Sequence, residues 1–153
     1  MGTHNQVIRK FLMKKYGGLY RRVIEFDLDK CAYCCFPREA LDHVPAISLL
    51  EGIDVREYLK KGGKLLLYPA CRQCNQMLHN KAYASYLDRL DYLETKYLEK
   101  MDKVEVWTKG EINEMTGMMK AYIEANQYKV QIMIRKVEAI DENRLKHQYD
   151  DLV

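Results

Sequence analysis

Apolar and polar positions follow two different periods along this chain, and the change of period predicts a mixed architecture. From Asn5 to Tyr16 apolar residues recur at helical spacing, with lysine and arginine between them. Gly17 and Gly18 end the pattern, as glycine often does after a helix. The sequence therefore predicts a basic amphipathic helix near the N-terminus.

Two short apolar runs in the middle of the chain are typical of β-strands. Residues 40–44 form the first run, closed by Pro45, and residues 65–68 form the second, closed by Pro69. We expect the two strands to pair as a hairpin, with residues 46–64 as a long connection.

Helical patterns account for much of the remainder. Asp54 can cap a helix over residues 55–61, and from Asn75 onward the residues favour helix. Thr108 introduces another capping box, and the apolar rhythm continues through Asn126, which is either a polar interruption or a break between two helices. We expect an antiparallel pair of amphipathic helices, packed on the core or on a partner that is a second copy or another protein.

The composition suits a water-soluble domain. The 153 residues are 48% hydrophobic and 31% charged, which is ordinary usage for one folded domain. No apolar run approaches the roughly 20 residues that cross a bilayer, and the first residues lack the apolar core of a secretory signal. We expect a cytoplasmic, reducing location and no membrane partner.

Charge is distributed unevenly along the chain. Residues 1–81 hold 14 Lys and Arg against 8 Asp and Glu, whereas residues 82–153 hold 11 against 14. Polyanion binding is therefore expected in the first half, because phosphate contacts come mainly from Lys and Arg. A solvated basic surface is the alternative. The candidate phosphate contacts are Arg21, Arg22, Lys64, Arg72 and Lys81.

The cysteines are spaced for a metal ion. Cys31 and Cys34 form one C-x-x-C pair, and Cys71 and Cys74 form a second pair after 36 intervening residues. Two such pairs are typical of knuckles that close around one tetrahedral zinc, and four thiolates leave no open position for chemistry. The pattern predicts a structural zinc worth ~10–16 kcal/mol. Cys35 is expected to be a spare thiol.

The residues around these pairs resemble a known family. The matching segments are Cys31-Ala32-Tyr33-Cys34, Leu41-Asp42-His43-Val44-Pro45 and Pro69-Ala70-Cys71-Arg72-Gln73-Cys74-Asn75. In this order they resemble the HNH nucleases, in the subgroup with two zinc-binding C-x-x-C pairs. The resemblance covers about residues 20–81.

The resemblance implies a fold and a chemistry. The fold class would be α+β and mainly helical, with a ββα-metal core and an N-terminal helix in residues 1–81 and a helical hairpin in residues 82–153. His43 would act as general base, and Asp42 and Asn75 would bind a catalytic Mg²⁺ or another divalent cation. The substrate would be DNA, with RNA as a second polynucleotide to test.

Three positions depart from the family pattern. Leu66 stands where the family usually has the middle asparagine, and Leu78 where a lysine near the phosphate is common. His79 and Lys81 are the local candidates to replace that lysine, and Cys35 stands where glycine is preferred. A catalytically degenerate zinc module that binds nucleic acid or protein is therefore the alternative function. A structural adaptor built around the helical tail is a third class.

Overall fold

The computed structural model describes residues 4–79, 81–83, 85–104 and 107–150, where a small sheet lies among helices. The fold is α+β and mainly helical. The helices are α1 (His4–Tyr16), α2 (Val55–Lys60), α3 (Arg72–Leu78), α4 (Tyr86–Asp102), α5 (Lys109–Glu114) and α6 (Gly117–Asp150). The strands are β1 (Arg21–Arg22), β2 (Ala40–Val44) and β3 (Leu66–Ala70). Short 3₁₀ helices cover Gly17–Leu19 and Ile47–Leu50.

The sheet has three strands rather than the two that the sequence predicts. β2 pairs with β3 in antiparallel register, as expected, and β1 joins the other side of β3 in parallel. The amide of Arg21 donates to the carbonyl of Leu65 at 2.9 Å, and the amide of Val23 donates to that of Leu67 at 3.0 Å. The predicted hairpin of β2 and β3 is therefore correct but incomplete, because β3 also pairs with β1.

Pro69 lies inside β3, so the expectation that it closes the strand is wrong. The carbonyls of Leu65, Leu67 and Pro69 point away from β2, since they accept from Arg21, Val23 and Ala32. The nitrogen of Pro69 faces the same side, where β1 has already ended. Proline is tolerated there because no strand needs its missing N–H group.

The connection between β2 and β3 contains the predicted helix. Asp54 caps α2, and its Oδ1 accepts from the amide of Glu57 at 3.2 Å. Gly62 follows the helix with φ of 89°, a conformation that glycine adopts without steric strain.

The helix expected from Asn75 onward is interrupted. It begins earlier, at Arg72, and ends at Leu78, and His79 has φ of 33°. A new helix, α4, then begins after Ser85, whose hydroxyl accepts from the amide of Asp88. The apolar pattern alone does not reveal this break.

The tail also breaks at a different place from the one considered in the sequence. Thr108 caps α5 as predicted, accepting from the amide of Glu111 at 3.2 Å. Met115 is extended, and Gly117 has φ of 69°, so the chain turns before α6. The 34-residue α6 then runs through Asn126 without a break. Asn126 is therefore a polar interruption.

Two clusters of buried side chains hold these elements. The larger cluster joins the cysteines to Leu90, Leu93 and Tyr97 of α4 and Ile140 of α6. α4 and α6 run antiparallel, because Arg144 meets Asp91 whereas Lys136 lies over the ring of Tyr97. The smaller cluster packs α1 on the 3₁₀ helix after β2, through Leu12, Tyr20, Ile47, Leu50, Val55 and Leu65.

None of the helices in the described residues has the length and apolar content of a membrane span.

Candidate metal centre and neighbouring cleft

The four cysteines of the two C-x-x-C pairs converge. Their sulfur atoms all lie within 4.8 Å of one another, and the Sγ atoms of Cys34 and Cys71 are 3.6 Å apart. A disulfide requires about 2.05 Å, whereas the edge of a tetrahedron with zinc–sulfur bonds of about 2.3 Å is about 3.8 Å. The cluster can therefore hold a metal ion. Among the described residues, no other His, Cys, Asp or Glu group of three or more is close enough to do so.

Local backbone geometry aims the sulfurs inward. In the first knuckle the amide of Cys35 donates to the carbonyl of Cys31 at 3.0 Å, and Cys35 has φ of 63°. This is the left-handed conformation that glycine adopts more readily than other residues. In the second knuckle Cys71 is the N-cap of α3, and its Sγ accepts from the amide of Cys74 at 3.4 Å.

The helical tail contacts both knuckles. Tyr97 of α4 lies with its hydroxyl 2.9 Å from Cys74 Sγ, and Lys136 of α6 donates to Cys71 Sγ at 3.5 Å. Asn143, also on α6, donates to the carbonyl of Tyr33 at 2.9 Å. These polar groups fix ligands in place and offset sulfur charge, as outer partners of metal ligands do.

These supporting residues were not predicted from the sequence, although one signal for them is present in it. Met133, Lys136, Val137 and Ile140 have the spacing of a single helix face, and Lys136 is 5% exposed. A lysine within an apolar stripe requires a buried partner, and here one partner is Cys71.

The four clustered thiols hydrogen-bond with one another, and these bonds shift their pKa values in different directions. Hydrogen bonds from the other three thiols lower the pKa of Cys71, and the amide of Cys74 lowers it further. Hydrogen bonds within the cluster also lower the pKa of Cys31 but raise the pKa values of Cys34 and Cys74. The thiolate is the form that binds metal, so the lowered pKa of Cys71 favours ligation by that residue.

A cleft of about 650 Å³ opens beside the metal centre. His43, Asp42 and Asn75 all border it, as does His79 at the end of α3. The sequence-predicted catalytic residues are thus brought to one cavity by β2 and by the helix that follows β3. The structure gives this cleft a further wall from α1, which supplies Arg9.

His43 is half-buried and held edge-on against the ring of Tyr20, with centroids 4.8 Å apart. Burial lowers its pKa from the ordinary value of 6.5, and the positive charge of Arg9 acts in the same direction. The carbonyl of Leu41 opposes both by favouring the protonated ring. The net effect keeps the imidazole neutral at neutral pH, which is the form that accepts a proton.

Asp42 lies on the opposite face of β2 and is 4% exposed. Its Oδ2 accepts from the hydroxyl of Tyr33 at 2.6 Å, and Arg89 Nε donates to the oxygen of that hydroxyl at 3.1 Å. Burial raises the pKa of Asp42, whereas the hydrogen bond from Tyr33 and the charge of Arg89 lower it. Asp42 is among the residues that line the cleft, but its carboxylate is tied to the core on the sheet face opposite to His43, so the expected bend that would bring it to the cleft is not seen in the regular register of β2.

Asn75 is not the residue that caps α3. It lies in the second turn of α3, where its amide donates to the carbonyl of Cys71 at 3.0 Å. Its carbonyl accepts from the amide of His79 at 2.9 Å. Cys71 is the cap, so the half-buried Asn75 side chain is left to border the cleft.

Leu66 lies away from His43. Val44 pairs with Leu66 across the two strands, whereas His43 pairs with Leu67, so the side chains of Leu66 and His43 lie on opposite sheet faces. Leu66 packs against the larger core cluster. The Leu41 carbonyl, within β2 itself, is the group that favours the protonated ring of His43.

The predicted phosphate contacts are dispersed. Arg21 and Arg22 are exposed on β1, and Arg72 faces Glu39 at 3.9 Å. Lys64 and Lys81 border a second cleft of about 330 Å³. Of the nucleic-acid-binding candidates, His79 is the one that borders the His43 cleft.

Comparisons with known proteins give no relative: no family model, no curated protein and no solved structure matches the chain.

Proposed function

We propose that this protein is an HNH-type endonuclease that hydrolyses DNA phosphodiester bonds with His43 as general base. The observation that carries the proposal is that His43, Asp42 and Asn75 are all among the residues that line one cleft, with Asn75 next to Cys74 of the cysteine cluster. The order strand, long loop, strand and helix is that of a ββα-metal core. The sequence resemblance supplies the reaction class, and the geometry is compatible with it.

Zinc is the metal that we assign to the four cysteines. Four thiolates suit zinc in a structural site, and the sulfur spacing fits tetrahedral coordination. The ion would tie the turn before β2 to the start of α3. It would thereby hold His43 and Asn75 in the lining of one cleft without taking part in the reaction.

A catalytic cation would be held by Asp42 and Asn75. Carboxylate and amide oxygens are hard ligands that suit Mg²⁺, which usually completes its shell with water and substrate phosphate oxygens. When bound, such a cation supplies charge for the phosphate and the leaving oxygen. His43 accepts a proton from the water that attacks phosphorus, and the Leu41 carbonyl favours the ring once it is protonated.

A catalytically degenerate binding module is the second candidate. Leu66 replaces the middle asparagine, and one oxygen of Asp42 is already engaged by Tyr33. Both features are compatible with a core that keeps its zinc and its cleft but binds nucleic acid without cutting it.

Cleavage by His43→Ala distinguishes the two candidates. Wild type, His43→Ala and His4→Ala would be loaded with zinc and compared on supercoiled plasmid and on single-stranded RNA with Mg²⁺ or Mn²⁺. His4 is an exposed histidine outside the cleft lining, so its variant is the matched control. We expect a loss of about 10²–10⁴-fold for His43→Ala alone. Equal cleavage by all three would refute the proposed base, and binding without cleavage by wild type would favour the second candidate.

A further inference from the structure

The N-terminal helix forms one wall of the His43 cleft. Ile8 and Leu12 of α1 pack into the smaller core cluster with Ile47, which follows β2 directly. The packing places the polar side of α1 beside the active-site strand. Asn5 and Arg9, one helical turn apart, border the cleft together with Gln6.

Among the described residues that line this cleft, Arg9 is the one lysine or arginine. Glu51, an exposed acidic residue of the same lining, would repel a polynucleotide backbone. Leu78, where the family commonly has a lysine, is 3% exposed. An anionic substrate that reaches His43 therefore meets the positive charge of Arg9 on α1, which is close enough to act on the imidazole of His43.

We propose that Arg9 binds the phosphate of the DNA strand that enters the His43 cleft, so that α1 is part of the nucleic-acid site. This proposal rests on the proposed function and names its phosphate-binding residue. A planar guanidinium can donate two parallel hydrogen bonds to one phosphate, which positions it as well as attracting it. Arg9 is exposed, so it is accessible to substrate.

The way α1 packs distinguishes Arg9 from the other basic residues of the same helix. Lys10, Lys14 and Lys15 lie on the same helix and are exposed, but they do not line the cleft. They add to the attraction of any polyanion at long range. Arg9 alone among them is placed to contact the phosphate next to His43.

Arg9→Gln and the matched control Lys10→Gln test the proposal. Binding of a fluorescent DNA duplex to the zinc-loaded proteins would be measured by anisotropy at several salt concentrations, with no Mg²⁺ or Mn²⁺ added so that the duplex stays uncut. We expect Arg9→Gln to weaken binding about tenfold and to reduce the salt slope by about one phosphate contact, with Lys10→Gln near wild type. Arg9→Lys, which keeps the charge without the planar fork, should lie between wild type and Arg9→Gln.

The binding measurement separates this proposal from the catalytic one. Equal weakening by Arg9→Gln and Lys10→Gln, or no DNA binding by wild type even at low salt, would overturn the role of Arg9. If wild type binds DNA but does not cut it, the catalytic proposal is refuted. A selective loss of DNA binding in Arg9→Gln would still support the phosphate contact. If wild type cuts, we expect Arg9→Gln to raise KM more than it lowers kcat.

Discussion

Lys136 links the helical tail to the cysteine cluster, and its replacement tests that link. Its ammonium group donates to Cys71 Sγ at 3.5 Å and to Gln73 Oε1 at 2.9 Å. Four thiolates around a divalent ion carry a net charge of about −2, which a buried ammonium partly offsets. We predict that Lys136→Met, which keeps the apolar stem and removes the charge, weakens zinc binding.

The expected magnitude follows from the contacts. A hydrogen bond to a charged partner is worth about 1.5–3 kcal/mol, which corresponds to a change in zinc affinity of about 10- to 100-fold. Outer partners of metal ligands give losses of about the same size when they are replaced. The lysine also lies over the rings of Phe36 and Tyr97, at 4.9 Å and 5.5 Å. Methionine can keep apolar contact with both rings, so we attribute the loss to the charge.

Competition with a chromophoric zinc chelator measures the effect. Lys129→Met is the control, because Lys129 is an exposed lysine on the same helix. The account requires wild-type affinity in Lys129→Met and weaker binding in Lys136→Met. Zinc affinity unchanged in Lys136→Met, or reduced equally in both variants, would show that the ammonium does not support the metal site.

Three further predictions follow from buried groups. Tyr33→Phe removes the donor to Asp42, so the pKa of that carboxyl rises further; the acid limb of the cleavage–pH profile should move to higher pH, and stability in urea should fall by about 1–3 kcal/mol. A cleavage–pH profile that does not move would show that the hydrogen bond from Tyr33 does not set the pKa of Asp42. Because the pKa of His43 is lowered in the folded state, its contribution to stability is present above pH 6.5 and is lost as the pH falls through the folded pKa. His43→Gln should flatten the pH dependence of the unfolding free energy in that window, and an unchanged slope would contradict the burial argument. Leu93→Ala, at a fully buried position, should cost about 2–5 kcal/mol in urea denaturation of the zinc-loaded protein, and a loss below 1 kcal/mol would mean that α4 is not part of the core.

Elements with strong local signals could be predicted from the sequence. Pro45 closes β2, Asp54 caps α2 and Thr108 caps α5, and each signal depends on residues within one turn of the boundary. The C-x-x-C spacing predicted the cysteine cluster because each pair is itself a local turn. The juxtaposition of the two pairs was an inference from metal chemistry, and the structure brings all four sulfurs together.

Features that depend on distant contacts were not predictable in the same way. β1 is only Arg21–Arg22, and it is a strand because β3 accepts its hydrogen bonds. The role of Arg9 depends on how α1 packs against Ile47, and nothing near Arg9 in the sequence encodes that packing. The break at His79 requires a left-handed residue that the helical pattern does not signal.

Crystallography of His43→Ala with a DNA duplex, zinc and Mn²⁺ tests the central claim most directly, because anomalous scattering locates both ions while the variant leaves the strand uncut. The account predicts zinc among the four cysteines and Mn²⁺ in the cleft, touching Asp42, Asn75 and a backbone phosphate. Mn²⁺ absent from the cleft, or DNA bound on another face of the protein, would contradict the account.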